Sequence, residues 1–162
     1  MSNNIDWKLR NAALNGDDYL VSELISQGAT VDSKSPVGDT ALHMAAFRGH
    51  THVVLRLLNR GCSPEARNMY GITPLILAAH CGHLGTVTFL LLKGADIDTQ
   101  DDSKHTPLHW ASKWGQTAVI KTLLHHGANR EIRDYEGKTA EDDAKNDETR
   151  AVFSKWEERG TK

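Results

Sequence analysis

The residues with the clearest capacity for chemistry are two histidines and a cysteine near the middle of the chain, His80, Cys81 and His83. Imidazole nitrogens and thiolates are preferred zinc ligands, so three of them within four residues raise the question of a metal site. Their spacing matches no established zinc pattern, and Gly82 predicts a helix end between them. We therefore favour structural or interface roles here, with a metal-dependent function as the alternative.

Catalytic patterns are weak in this sequence. Ser112 could be combined with a histidine and an aspartate, but such residues occur in any chain of this length. The sequence contains no G-x-S-x-G, no phosphate-binding loop and no dinucleotide-binding glycine pattern. The carboxylate run at 141–143 lacks the loop spacing of a calcium site, so we interpret it as a solvated face. We expect no catalysis, no cofactor and no metal.

Length and charge narrow the class of protein further. A length of 162 residues predicts one domain. The 19 basic and 21 acidic residues give a formal charge of -2, which argues against nucleic-acid binding. Apolar runs fall far short of the ~18 residues of a membrane span, and the first residues lack the apolar segment of a signal peptide. The two cysteines have no paired spacing. We therefore expect a reducing compartment, the cytoplasm or the nucleus.

Identical residue types recur every 33 positions along nearly the whole chain. Thr40, Thr73 and Thr106 keep this spacing, and each is followed by apolar residues and a pair of small ones. A glycine then breaks the pattern, a second apolar helix follows, and another glycine ends it. The segment at 69–101 shows the full pattern, with a turn glycine at its head. A fixed period of this length indicates a repeat protein built from helix–turn–helix units.

The motif after each threonine resembles that of ankyrin repeats. It reads Thr40-Ala41-Leu42-His43, Thr73-Pro74-Leu75-Ile76 and Thr106-Pro107-Leu108-His109. The resemblance implies an all-α ankyrin-repeat solenoid of stacked helix-turn-helix units with β-turn tips. It implies a single ankyrin-repeat domain over 1–162, with atypical first and last units that cap the stack. The expected units are 2–35, 36–68, 69–101, 102–134 and 135–162.

Several positions depart from the family pattern. Ile76 replaces a motif histidine that usually hydrogen-bonds a neighbouring turn, so one bond between units is in doubt. Lys104 replaces a turn glycine, which costs about 1–2 kcal/mol if the turn stays left-handed, unless the turn type changes. The resemblance implies structural roles for His43, His109 and the Gly-His histidines, through hydrogen bonds to neighbouring backbone.

In this family, binding concentrates on the concave side, at positions around the turn glycine and after the small pair. Nothing in the fold requires apolar side chains there, yet aromatic residues and arginines are present, and these dominate binding hot spots. The resemblance therefore implies a non-enzymatic adaptor, monomeric alone, that binds another protein. We expect Phe47, Tyr70, Trp114 and Tyr135 to be its anchors. The expected partner-binding residues are Phe47, Arg48, Arg67, Met69, Tyr70, Ile72, His80, Cys81, Ser103, His105, Lys113, Trp114, Arg133 and Tyr135.

A narrower alternative concerns the end of the chain. Trp114-Gly115-Gln116 and Ala144-Lys145 are similar to the ankyrin segment of integrin-linked pseudokinases. This similarity implies a scaffold segment of a larger signalling protein with a LIM domain as its partner. A designed stack without a natural partner is disfavoured by the irregular residues Ile76 and Lys104.

Overall fold

The computed structural model describes residues 4–160, with the side chains of residues 5–156. This part of the chain contains nine α-helices and no strand, which confirms the expected all-α class. No helix in it is both long and apolar enough to cross a membrane. The helices are α1 (Asn4–Asn15), α2 (Asp18–Ser26), α3 (Ala41–Arg48), α4 (Thr51–Asn59), α5 (Pro74–Cys81), α6 (Leu84–Leu92), α7 (Pro107–Lys113), α8 (Thr117–His125) and α9 (Asp147–Gly160).

The short helices α3, α5 and α7 begin at the recurring threonines, as the sequence predicts. The Thr40 hydroxyl accepts a hydrogen bond from the His43 N–H, and the His43 side chain accepts one from the Thr40 N–H. This reciprocal capping satisfies two backbone donors that a helix start would otherwise leave unpaired. Gly49 and Gly82 end α3 and α5 in the left-handed conformation, with φ of 72° and 77°. Glycine adopts this conformation without steric cost.

The helices form two layers. Helices α1, α3, α5 and α7 pack side by side in chain order, and α2, α4, α6 and α8 form the second layer. Fully buried alanines such as Ala45 and Ala78 allow the first layer to pack closely. Larger buried side chains such as Leu57 and Leu90 come from the second layer. The result is one continuous apolar core that runs from α1 to α9.

The two ends of the stack differ from its middle. Residues 139–146 form turns rather than an α-helix. Helix α9 packs on α8 and buries Phe153 completely. Trp156, which follows the buried Leu123 by one period of 33 residues, is half-buried against the core. At the other end Trp7 is exposed. The division into five units stays a prediction.

Candidate protein-binding surface

Four tight turns project from the connections between helix pairs in the described chain. These turn tips are residues 35–38, 68–71, 101–104 and 134–137, and in each the fourth N–H donates to the first C=O. The fourth residue is left-handed in all of them, with φ of 86° at Gly38 and 62° at Lys104. Lys104 therefore accepts the strained conformation and the turn type does not change.

The side chain at the first position accepts backbone hydrogen bonds in all four turns, one at Ser35 and two in each of the other three. Asn68 accepts hydrogen bonds from the N–H groups of Tyr70 and Ile72 through Oδ1. Asp101 and Asp134 make the same two bonds in the next turns. Sequence reasoning missed these residues. Their spacing of 33 and the preference of Asn and Asp for turns were the signals that could have identified them.

Neighbouring turn tips are also bonded to each other through the backbone. The Met69 N–H donates to Val37 O at 2.9 Å, and the Asp102 N–H donates to Tyr70 O at 3.1 Å. Tyr135 N–H donates to Ser103 O at 3.3 Å in the same way. Each tip therefore has its position fixed by the tip before it, and the exposed side chains project from a connected framework.

The expected anchor residues are exposed on this framework and at the adjoining helix ends. Phe47 is 42 % exposed, Tyr70 56 %, Trp114 49 % and Tyr135 69 %. We call nine exposed residues the aromatic–basic surface: Phe47, Arg48, Arg67, Met69, Tyr70, Lys113, Trp114, Arg133 and Tyr135. Ser103 is exposed as well, whereas Ile72, His80, Cys81 and His105 are half-buried.

Positive charge alternates with the aromatic rings on this surface. The Arg48 guanidinium lies 5.9 Å from the centre of the Phe47 ring. The Lys104 ammonium lies 4.8 Å from the centre of the Tyr135 ring. Such cation–π contacts favour the observed orientation of exposed aromatic side chains.

Comparison with protein-family models gives a match to ankyrin repeats (three copies) over residues 9–101 and 86–149. The chain belongs to the ankyrin repeat family. Ankyrin repeats are generally non-catalytic modules for protein interaction. A search of curated proteins gave no match.

The motif histidines of this ankyrin domain join neighbouring units. His43 Nε2 donates to Ile72 O at 3.0 Å, while its Nδ1 accepts from the Thr40 N–H. His109 makes the equivalent bond to Lys138 O at 3.1 Å. Burial lowers the pKa of both imidazoles, because the charged form is poorly solvated there. The bond in doubt at Ile76 is absent, since its side chain has no polar atom.

The residues that precede the second-layer helices make a further set of bonds between ankyrin units. His50 Nε2 lies 3.1 Å from Leu14 O, and His83 Nε2 lies 2.9 Å from Phe47 O. The Gln116 amide donates to His80 O at 3.0 Å in the equivalent place. The structural role expected of the Gly-His histidines is confirmed by these contacts.

The structure does not assemble His80, Cys81 and His83 into a group of metal ligands. His83 bonds the backbone of the preceding unit, and the His80 ring packs edge-on against Trp110 and Trp114, 5.3 Å and 4.8 Å away. Burial lowers the pKa of His80 and raises that of the Cys81 thiol. The half-buried His80 ring therefore packs against the exposed anchor Trp114 and helps to fix its position.

The prediction that residues 141–143 form a solvated face is wrong for Asp143. Its side chain is 6 % exposed and points towards His105. Asp142 is exposed and accepts a hydrogen bond from the Thr139 N–H, and Glu141 forms an ion pair with Arg130. Asp143 is buried because the turn at 139–146 replaces a helix and folds back on the preceding unit, where Lys145 N–H donates to Ser112 O.

Proposed function

We propose that this ankyrin domain is an adaptor that binds another protein on its aromatic–basic surface. The observation that carries the proposal is the exposure of four aromatic side chains on a connected framework: Tyr70 and Tyr135 lie on hydrogen-bonded turn tips, and Phe47 and Trp114 at the adjoining helix ends. A monomer gains no stability from exposing Tyr70, Trp114 and Tyr135. Apolar exposure of this kind is typical of interaction sites.

Rigid recognition is the mechanism that this architecture favours. Backbone bonds between tips and turn-stabilising side chains hold the surface in place before the partner arrives. A preformed surface loses little conformational entropy on binding, so more of the contact energy appears as affinity. Tryptophan, tyrosine and arginine supply most of the free energy at such interfaces.

The charge of the surface favours a partner segment with acidic and apolar side chains. Arg48, Lys113 and Arg133 are exposed on it. The exposed carboxylates of the tips are already near cations: Glu136 pairs with Lys138, and Asp102 lies 3.9 Å from Arg67. Positive charge is therefore in excess on this face, although the chain as a whole is slightly acidic. Association with an acidic segment would weaken at high salt.

A location in the cytoplasm or nucleus is part of the proposal. Cys62 and Cys81 are both free thiols, which supports a reducing compartment. Burial raises the pKa of Cys62 to about 12, so this thiol is protonated and unreactive at neutral pH.

The test compares two double variants with matched composition. Tyr70→Ala/Trp114→Ala removes two anchors, and Tyr19→Ala/Trp7→Ala removes a tyrosine and a tryptophan from the first unit that are each more exposed than the matching anchor. A partner is captured from lysate with the wild-type chain and then titrated against each variant after circular dichroism shows native helix content. Because a hot-spot residue contributes at least ~2 kcal/mol, we expect the first variant to lose more than ~10-fold in affinity.

The control variant should bind like the wild type. Retention of the partner by Tyr70→Ala/Trp114→Ala, together with its loss from Tyr19→Ala/Trp7→Ala, would place the binding site on the first unit and refute the proposal.

A further inference from the structure

His105 lies between the third and fourth turn tips, in a group of carboxylates that the proposed partner binding does not use. Its Nε2 is 3.3 Å from Asp134 Oδ2 and 3.9 Å from Asp143 Oδ2. The ligand atoms of these three residues all lie within 4.8 Å of one another, which holds for no other group of three potential metal ligands among the described residues. The side chains are 14 %, 1 % and 6 % exposed.

The group has hydrogen-bonding capacity that the described residues leave unused. Asp143 Oδ2 is buried and accepts no hydrogen bond from them. A buried carboxylate oxygen without a donor costs free energy, so this atom points to a missing cationic ligand. The nearest cation is the Lys113 ammonium at 3.6 Å, which is too far for a hydrogen bond.

Lys113 cannot satisfy the whole group. Its Nζ lies 3.2 Å from His105 Nε2, and this contact requires Nε2 to accept. An Nε2 that accepts from Lys113 cannot also donate to Asp134 Oδ2, so two lone pairs then face each other across 3.3 Å. A cation bound by Nε2 and both carboxylates removes this conflict. The Lys113 side chain is 42 % exposed and has room to withdraw into solvent.

We propose that His105, Asp134 and Asp143 bind a divalent zinc-type ion through Nε2 and the two Oδ2 atoms. Tetrahedral zinc with bonds of roughly 2.0–2.1 Å places its ligand atoms about 3.3 Å apart. The 3.3 Å between Nε2 and Asp134 Oδ2 matches this separation, and Asp143 Oδ2, at 3.9 Å from Nε2, would move closer on binding. One imidazole with two carboxylates suits zinc better than magnesium or calcium, which take oxygen ligands. The inference does not depend on the proposed partner binding.

One neighbouring carboxylate lies near the ring nitrogen that would face away from the ion. Asp101 Oδ1 is 3.7 Å from His105 Nδ1, which is longer than a hydrogen bond, so Nδ1 is buried without a hydrogen-bond partner among the described residues. The negative charge of Asp101 favours a proton on Nδ1, which leaves Nε2 free to bind metal. Asp134 uses Oδ1 for the N–H groups of Glu136 and Lys138, which leaves Oδ2 for the ion.

The structure also indicates which variants should fold. Asn68 supports its turn with the same two backbone bonds that Asp134 makes. Asp134→Asn should therefore keep the turn while it loses the charge of a metal ligand. Asp143→Asn is isosteric and removes the other charge. Lys113→Met removes the competing ammonium, and Cys81→Ser serves as the control for zinc bound elsewhere.

The chelator-treated 162-residue chain is titrated with Zn²⁺ in competition with a chromophoric chelator. We expect one ion per wild-type chain, at least ~10-fold weaker binding in Asp134→Asn and Asp143→Asn, tighter binding in Lys113→Met, and no change in Cys81→Ser. Zn²⁺ should also raise the midpoint of thermal unfolding of the wild type and not that of Asp143→Asn.

Two results would overturn the inference. One is the absence of binding by the wild type at micromolar Zn²⁺. The other is wild-type affinity in both aspartate variants, which means that the ion binds elsewhere. Circular dichroism of each variant shows that it is folded, and Asp143→Asn provides the test if Asp134→Asn is not.

Discussion

At the scale of single residues, His43 and His109 each connect two segments of backbone. One ring nitrogen accepts from the N–H at the start of its own helix, and the other donates to a carbonyl of the next unit. The two bonds together require the neutral imidazole, since a protonated ring has no acceptor and would lose the bond from the start of its own helix. The burial that lowers the pKa of these side chains therefore preserves their structural role.

These histidines predict a loss of stability in mild acid. The folded state lowers their pKa below the usual value of about 6.5, so their contribution is fully present above that pH. As the pH falls below 6.5, the unfolded chain binds protons that the folded chain rejects. The free energy of unfolding should fall by up to ~1.4 kcal/mol per pH unit for each histidine. Urea unfolding at pH 7.5 and pH 5.5 measures this change.

The comparison uses His43→Gln/His109→Gln, which retains a polar side chain without an ionisable one. This variant should be less stable at pH 7.5 but lose less stability between the two pH values. Aspartates whose pKa the fold lowers, such as Asp134, stabilise the fold above their ordinary pKa of 3.8 and lose this contribution only below it, outside the pH range of the comparison. An unchanged pH dependence in the variant would contradict the assignment.

At the scale of elements, two turn-tip glycines with similar backbone conformations have different surroundings. Gly71 and Gly137 have φ of 70° and 76°. A Cβ on Gly71 would lie 2.9 Å from the backbone nitrogen of Asp102 in the next tip, whereas one on Gly137 would meet nothing within 4 Å. The conformational cost is thus similar at both sites, and the steric cost exists only at Gly71.

Replacing each of these glycines with alanine should separate the conformational cost from the steric cost. Gly137→Ala should destabilise the fold by about 1 kcal/mol through its left-handed backbone. Gly71→Ala should cost at least ~1 kcal/mol more, because the next tip must move. Urea unfolding of both variants gives the difference. Equal losses would show that the tips are less firmly joined than their backbone bonds indicate.

The elements were largely predictable from sequence, for local reasons. The threonine caps and the left-handed glycines of the helix ends depend on residues close in the chain, and the structure confirms them. The burial of Asp143 was not predictable, because it depends on contact with His105, far back in the chain. Acidic neighbours and the lack of an apolar pattern favoured a solvated interpretation, and only the folded position of the turn at 139–146 reveals the contact.

At the scale of the whole molecule, the main helix contacts in the described part of the chain lie within a unit or between neighbouring units, so stability is distributed along the stack. The sequence predicted this architecture from its period of 33. The placement of the aromatic–basic surface followed from the family resemblance. The partner did not, because the chemistry of a binding surface restricts its ligands without naming one. The group around His105 became visible only when three segments came together in space.

Because stability is distributed along the stack, a cavity made at one end should destabilise mainly the helices at that end. Phe153 is completely buried between α9 and the rest of the core. Phe153→Ala should cost about 3–5 kcal/mol at that end. Hydrogen exchange should accelerate in α8 and α9, while the amides of α1–α4 keep nearly all their protection.

Leu9→Ala, at an equally buried site in α1, is the control at the opposite end of the stack. It should accelerate exchange in α1 and α2 and leave α8 and α9 protected. Uniform acceleration along the chain in either variant would show that the stack unfolds as a single cooperative unit.

The missing histidine at Ile76 has a mechanical consequence. The stack can bend at the interfaces between its units. His43 and His109 each bridge one interface with an imidazole hydrogen bond, but the interface between α5 and α7 has no such bond. It is held instead by the Gln116 amide, by the Asp102 backbone bond and by the packing of the His80 ring on Trp110 and Trp114. The distance between the anchors Tyr70 and Trp114, which lie on either side of this interface, is therefore set by ring packing and not by an imidazole hydrogen bond.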